Sequence, residues 1–150
     1  MSNAFSSALE RQQSLAYSLL RVVAGFMFTL HGVQKILGLL SERATPAVGS
    51  QIWVGGVIEL VCGVLIALGL FPRYAAFLAS GTVAVAYAQF HWKFAFDREF
   101  FPAVNGGELA ALYAVVFLFM ACHGAGAFSV DALLAKRKSP RARAVALRGR

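Results

Sequence analysis

The residues best suited to chemistry are six polar side chains set within or beside long apolar stretches: His31, Gln34, Lys35, Glu59, His91 and Glu108. A charged side chain inside a membrane-spanning helix costs about 2.5–3.5 kcal/mol on insertion scales, so it is retained where it has a partner or a function. His31 and Lys35 are four residues apart, which puts them on one helical face. Histidine, glutamine and lysine can donate hydrogen bonds to the carbonyl oxygens of a quinone, and either glutamate could relay a proton. We therefore interpret the six as a candidate ligand-binding site.

Other chemistries fit these residues less well. A di-iron bundle needs Glu-x-x-His on two helices, and the chain has no such spacing. A bis-histidine haem between His31 and His91 is less favoured than a quinone, because axial ligation needs facing rings and a large cavity. The sequence shows no nucleophile–base pair and no phosphate-binding loop. We therefore assign neither a catalytic residue nor a metal site.

A structural interpretation of the same polar residues stays open. Lys35 could extend to the membrane interface and pair with Glu108, while Asn105 and Glu108 have the spacing of a helix capping box. Candidates for structural ion pairs lie at the opposite end of the predicted helices: Arg21, Arg73 and Asp131. On this interpretation the chain is a non-enzymatic binding, transport or scaffold protein, and its polar cluster keeps the helices in register.

The apolar stretches predict the elements that carry these residues. Hydrophobic residues make up 59% of the 150-residue chain and charged residues 14%, whereas a soluble domain has about 25% charged residues. The run Leu15–Leu40 exceeds the length of about 20 apolar residues that spans a bilayer. Further apolar runs cover about Gln51–Phe71, Arg73–His91 and Gly106–Gly124. We therefore predict an all-α membrane protein, an antiparallel bundle of four transmembrane helices.

Charge predicts how this bundle is oriented. We divide the chain into a polar N-terminal lead-in (1–14), a transmembrane domain (15–134) and a basic tail (135–150). With four helices both termini lie on one side, which carries ten lysines and arginines against four on the other. The positive-inside rule then predicts that both termini are cytoplasmic. Because successive helices alternate in direction, the six candidate ligand-binding residues all fall in the outer half of the bundle.

Two further features bear on compartment and partners. The first apolar run follows no basic segment and is too long for a signal peptide, so we expect the first helix to be retained. Cys62 and Cys122 form no CxxC pair, and their predicted depths differ by about 10 Å, too far for a disulfide. The expected partner is the lipid bilayer, and nothing in the sequence points to nucleic acid.

Several spaced motifs resemble the DoxX family of small bacterial membrane proteins. The residues similar to its first helix are Leu20-Arg21, Gly25, His31-Gly32-Val33-Gln34-Lys35 and Gly38. Those similar to its second helix are Glu59-Leu60-Val61-Cys62-Gly63 and Leu68-Gly69-Leu70-Phe71. Those similar to its fourth helix and exit are Asn105-Gly106-Gly107-Glu108-Leu109, Tyr113, Gly124-Ala125-Gly126 and Ser129-Val130-Asp131.

The resemblance covers most of the apolar chain, from Leu19 to Leu134. It implies a four-helix protein of the bacterial inner membrane. Some family members are linked to quinone-coupled thiosulfate oxidation and others to quinones or oxidative stress, while many have no assigned activity. The resemblance therefore implies a membrane component of a quinone-linked or oxidative-stress redox system, with a quinone as ligand and a redox protein as partner.

Overall fold

The computed structural model describes residues 2–138, and every regular element in that range is helical. The α-helices are α1 (Ser2–Leu37), α2 (Gln51–Leu68), α3 (Pro72–Ala86), α4 (Pro102–Asn105), α5 (Glu108–His123) and α6 (Val130–Lys138). Helix α3 continues into a π-helical segment, Tyr87–Trp92, and a 3₁₀ turn, Arg98–Phe100, precedes α4. The predicted basic tail begins within α6, and its part from residue 139 onwards lies outside the described residues.

Helix α1 begins earlier and ends sooner than the apolar run Leu15–Leu40 predicts. It forms one 36-residue helix that includes the polar lead-in, because the chain has no glycine or proline before Gly25 to interrupt it. It ends at Leu37, where Gly38 takes up the left-handed conformation with φ 65°.

Helix α2 has a defined signal at each end. The Ser50 side chain accepts a hydrogen bond from the Trp53 backbone N–H at 3.2 Å and caps the N-terminus. At the other end Gly69 is left-handed, with φ 68°. The Gly69 and Leu70 N–H groups then bond back to the carbonyls of Ile66 and Leu65, both at 3.0 Å. The helix therefore stops three residues before the predicted Phe71.

Helices α1 and α2 pack closely and run in opposite directions. Gly25 of α1 lies against Gly63 and Ala67 of α2, while Gly32, further along α1, lies against the earlier residue Leu60. Helices α3 and α5 also run in opposite directions, since Arg73 bonds to residues 121–123 and Ser80 to Ala114. The buried core between these helices includes Phe28, Ile66, Ala76, Ala79, Phe117 and Met120.

Two of the described helices are long and apolar enough to cross a membrane, where the sequence predicted four. They are Phe5–Leu37 within α1 and Gln51–Leu68, which is α2. Helix α5 is apolar but has only 16 residues. Only 39% and 28% of the two long apolar windows is buried, and many large apolar side chains on all four longer helices are exposed. An apolar surface of this extent is typical of a membrane or protein interface.

Candidate functional site

Four of the six predicted ligand-binding residues line one cavity of about 420 Å³: His31, Lys35, Glu59 and His91. We call this space the polar cavity. Its other walls come mostly from apolar and aromatic side chains of α1, α3, the π-helical segment and α5: Phe28, Val83, Ala86, Phe90, Leu109, Ala110 and Tyr113. Arg43 and Gly106 complete the lining. An apolar cavity of this size with a few convergent polar groups is typical of a small-molecule site.

The main charged feature of the polar cavity is an ion pair between α1 and α2. The Lys35 Nζ lies 2.5 Å from the Glu59 Oε1. Lys35 keeps 35% of its side chain exposed, whereas Glu59 keeps only 10%. A carboxylate buried to this degree is stable when a cation and hydrogen bonds compensate for its lost hydration. Lys35 therefore pairs with Glu59, and not with Glu108 as the structural interpretation of the sequence suggested.

Two buried polar atoms of residues that line the polar cavity have no hydrogen-bond partner among the described residues. They are the second carboxylate oxygen of Glu59, Oε2, and the hydroxyl of Tyr113. Both residues are 8% exposed. Buried polar groups are nearly always hydrogen-bonded, and an unmet one costs about 1–3 kcal/mol. Because both residues line the polar cavity, a ligand bound there is a candidate partner for these atoms.

The two histidines approach the polar cavity with different partners. His31 meets the Tyr113 ring edge-on, with centroids 6.4 Å apart and an angle of 90°. The His91 Nδ1 lies 3.2 Å from the Asn105 carbonyl oxygen. Because a carbonyl can only accept, this bond requires the proton on Nδ1 and leaves Nε2 of a neutral ring as an acceptor. His91 thus supplies an acceptor, while His31 has no such fixed tautomer.

Gln34 and Glu108 are not part of the cavity lining. The Gln34 amide donates to the Leu40 carbonyl at 3.0 Å, where the chain turns after α1. Glu108 is exposed in the first turn of α5, where a negative charge interacts favourably with the helix dipole. The capping box is not formed either, since Gly107 is the N-cap and its N–H donates to the Asn105 side chain at 2.8 Å.

Arg21, Arg73 and Asp131, the candidates for structural ion pairs, bind main-chain atoms instead. Arg21 donates to the carbonyls of Ile66 and Ala67, at the C-terminus of α2, at 2.5 and 2.7 Å, and to Phe128 at 2.7 Å. Arg73 donates to the last carbonyls of α5, residues 121–123. The Asp131 carboxylate accepts from the Phe71 N–H at 3.0 Å, at the start of α3. The sequence-based prediction paired charged side chains only with each other. Helix ends also leave main-chain groups without partners, and these charged side chains bond to such groups.

Comparison with known proteins gives the chain its family. The DoxX family model matches residues 16–92. An uncharacterized protein of Haemophilus influenzae is 43% identical over 127 residues, covering 82% of this chain and 93% of the relative. The chain belongs to the DoxX family. This confirms the resemblance seen in the sequence.

A second relative supports a membrane location for this DoxX protein. An uncharacterized membrane protein of Mycobacterium tuberculosis is 29% identical over 136 residues, covering 79% of this chain and 80% of the relative. No solved structure matches the chain significantly. The chain is thus a DoxX-family membrane protein with bacterial relatives, and the relatives bring no assigned activity. His31, Lys35, Glu59 and His91 lie inside the range matched by the family model.

Two residues that line the polar cavity of the DoxX protein, Tyr113 and Arg43, are not among the predicted site residues. Tyr113 lies outside the range of the family model, in the apolar middle of α5. A signal for it existed, because a buried tyrosine hydroxyl usually needs a partner and α5 offers no neighbouring polar side chain. Arg43 lies in the loop after α1, and a loop residue could not be placed from helix periodicity.

Two further observations concern possible metal ligands and the cysteines in the described part of the DoxX protein. Within residues 2–138, no three histidine, cysteine, aspartate or glutamate side chains come together as metal ligands would. Cys62 is buried and Cys122 is exposed, and both are free thiols. The polar cavity offers hydrogen-bonding groups, the Lys35–Glu59 ion pair and the side chain of Arg43.

Proposed function

We propose that this DoxX protein is a membrane component of a quinone-linked or oxidative-stress redox system and that it binds a quinone head group in the polar cavity. The observation that carries the proposal is that two residues lining one cavity with Lys35 each have an unsatisfied buried atom, Glu59 Oε2 and the Tyr113 hydroxyl. Leaving two buried polar groups unmet destabilises the fold unless a ligand meets them.

The polar groups of the cavity match both redox forms of such a ligand. A quinone presents two carbonyl oxygens, and the Lys35 ammonium and the Tyr113 hydroxyl are donors. A quinol presents two hydroxyl groups, and Glu59 Oε2 and His91 Nε2 are acceptors. The aromatic rings of Phe28 and Tyr113, on the same wall, suit a flat ring by offset or edge-on contact.

The bilayer arrangement belongs to the same proposal. We propose four spanning helices, α1, α2, α3 with its π-helical extension, and α5, as an antiparallel bundle in the bacterial inner membrane. The opposed pairs α1–α2 and α3–α5 and the exposed apolar side chains support it. The excess of lysine and arginine on one side supports cytoplasmic termini, with the polar cavity in the outer half of the membrane.

A second candidate function rests on the Lys35–Glu59 contact. This ion pair joins α1 to α2 and is the only one formed among residues 2–138. If it serves only to hold these helices in register, the protein is a non-enzymatic binding, transport or scaffold protein. Removing the Glu59 charge breaks this contact under either candidate, so ligand affinity measured beside stability separates the two.

The substitution Glu59→Gln, in purified protein in lipid nanodiscs, tests the proposal. For a ligand site we expect the affinity for a benzoquinone, titrated under oxidising and reducing conditions, to fall about tenfold with the helices still folded. For a purely structural pair, the melting temperature should fall while any affinity stays intact. Glu42→Gln, at an exposed loop residue, is the control for loss of a carboxylate. Absence of quinone binding to the unmodified protein would eliminate the redox proposal.

A further inference from the structure

A second cavity, of about 310 Å³, lies between α2 and α3. We call it the α2–α3 groove. Its walls are mainly apolar, with Ile52, Val54, Ile58 and Val85 among them. Lys35, Glu59, Ala86 and Phe90 line both this groove and the polar cavity. The two spaces are therefore adjacent, with the ion pair on one side of their boundary and Ala86 and Phe90 on the other.

The groove opens on the apolar outer surface of α2 and α3. Ile52, Val54 and Val85 line it and are each about half exposed. In the proposed bundle this surface faces lipid, so a lipid-soluble molecule could enter from the bilayer. At the N-terminus of α2, the side-chain amide of Gln51 donates a hydrogen bond to the side-chain oxygen of Gln89, Oε1, at 2.6 Å. This bond links α2 to the π-helical segment and closes that end of the groove.

Two glycines leave the groove open. A Cβ atom added to Gly55 or to Gly81 would have no heavy atom within 4 Å. Gly25, Gly32 and Gly63 differ, since a Cβ there would collide with the backbone of the neighbouring helix. The usual reason for a small residue in a membrane helix is close helix packing, and it does not apply to Gly55 and Gly81. What their missing side chains provide is space in the groove.

We propose that the α2–α3 groove holds the apolar tail of a lipid-borne quinone whose head group lies in the polar cavity. This inference rests on the proposed function and narrows its substrate to quinones that carry a tail. A head group bound between four helices must leave its tail an exit, and the groove is an apolar exit that begins at residues of the head-group cavity. The isoprenoid tail of a membrane quinone matches the groove because both are apolar along their whole length.

Phe90 lines both spaces. Ala86, which also lines both, is small, so we infer that the larger Phe90 ring sets the width of the passage between them. Phe90 is half exposed and lies on the π-helical segment, a departure from α-helix often found at functional sites. We expect the Phe90 ring to move aside when a quinone is bound with its head group in the polar cavity and its tail in the α2–α3 groove.

Filling the groove tests this inference. The variant Gly81→Leu adds a side chain where there is open space and replaces a poor helix former by a good one, so the fold should be kept. The probes are two benzoquinones with the same head group, one with a decyl tail and one with a methyl group in its place. We expect Gly81→Leu to lower the affinity for the decyl compound about tenfold, because its tail is displaced. The affinity for the methyl compound should change less than about twofold.

Two further variants make the result specific. Gly55→Leu fills the groove from α2 and should act in the same direction, so the test does not depend on one variant folding. Val115→Leu is the matched control, because Val115 is 66% exposed on α5 and lines neither cavity. It should leave both affinities unchanged.

The outcomes separate the groove from the head-group site. If both glycine variants bind the decyl compound as the unmodified protein does, the groove does not hold the tail and the proposed function stands. If both glycine variants lower the affinity for the two compounds equally, the substitutions disturb the head-group cavity and the inference fails. If the unmodified protein binds neither compound, the proposed function fails and the inference fails with it.

Discussion

At the residue scale, three buried side-chain atoms have no hydrogen-bond partner among the described residues: Arg21 Nε, Glu59 Oε2 and the Tyr113 hydroxyl. Arg21 is 1% exposed, yet its two terminal nitrogens donate to three main-chain carbonyls at the ends of helices. Glu59 and Tyr113 are buried to a similar degree and keep polar atoms without a partner among the described residues. Arg21 does not line the polar cavity, whereas Glu59 and Tyr113 do, so these two are the residues that we expect to contact a ligand.

The hydroxyl of Tyr113 gives a prediction for the head-group site. We expect Tyr113→Phe to lower quinone affinity about three- to tenfold, the value of one neutral hydrogen bond. The melting temperature should stay the same or rise, because the substitution removes an unsatisfied buried group. Quinone titration and thermal melting of one preparation measure both effects. Tyr74→Phe, at a residue that is 80% exposed, is the control, and unchanged affinity in Tyr113→Phe would show that the hydroxyl does not contact the ligand.

For Arg21 we predict an effect on stability, because its role is structural. Replacing it by methionine keeps much of the volume but leaves the carbonyls of Ile66, Ala67 and Phe128 without their donor. We expect Arg21→Met to lower the free energy of unfolding by about 3 kcal/mol or more. Arg11→Met, at an exposed position of the same helix, should change it by less than about 0.5 kcal/mol. Denaturation in detergent measures both, and equal effects would contradict the assigned role.

At the scale of elements, glycines determine how closely α1 and α2 approach each other. At Gly32 an added Cβ would lie 2.6 Å from the Leu60 Cα, closer than side chains can pack. We expect Gly32→Ala to lower the free energy of unfolding by about 1–3 kcal/mol, as overpacking does.

Gly55→Ala is the matched control for this prediction, because the same Cβ enters open space there. It should leave stability unchanged or raise it, since alanine is the better helix former. Thermal melting of the two variants measures the difference. Equal loss of stability in both would show that α1 and α2 do not pack as described.

Periodicity predicted the location of the helices and much of the polar cavity. Spacing of four put His31 and Lys35 on one face, and the alternation of helix direction put Glu59 and His91 near the same end. Sequence pattern could not predict that Gln34 lies outside the cavity. Its side chain bonds to the carbonyl of Leu40, which comes within reach because α1 ends at Leu37. The exact ends of α1 and α2 depend on Gly38 and Gly69, which take up the left-handed conformation. The sequence does not show which glycines adopt that conformation.

At the scale of the whole molecule, composition predicted the class, whereas the number of spans depends on how the helices assemble. Only α1 and α2 meet the length and apolarity expected of an isolated span. Helix α3 ends early because the chain changes to a π-helical segment at Tyr87, and α5 begins late because Gly107 is its N-cap. Four spans remain the arrangement we propose, because α3 continues through the π-helical segment to Trp92 and α5 is an apolar helix.

Accessibility labelling tests that arrangement. We expect a cysteine in the α1–α2 loop, Ala44→Cys, to react with an impermeant maleimide on intact cells, because this loop lies on the side with fewer cations. A cysteine in α6, Lys136→Cys, should react only after permeabilisation, since the basic end of the chain stays in the cytoplasm. Both variants need a background with Cys62→Ala and Cys122→Ser, because the native thiols are free. Labelling of both positions from outside would contradict an arrangement with an even number of spans and both termini in the cytoplasm. Labelling of position 136 alone from outside would mean that the orientation is inverted and that the polar cavity lies towards the cytoplasm.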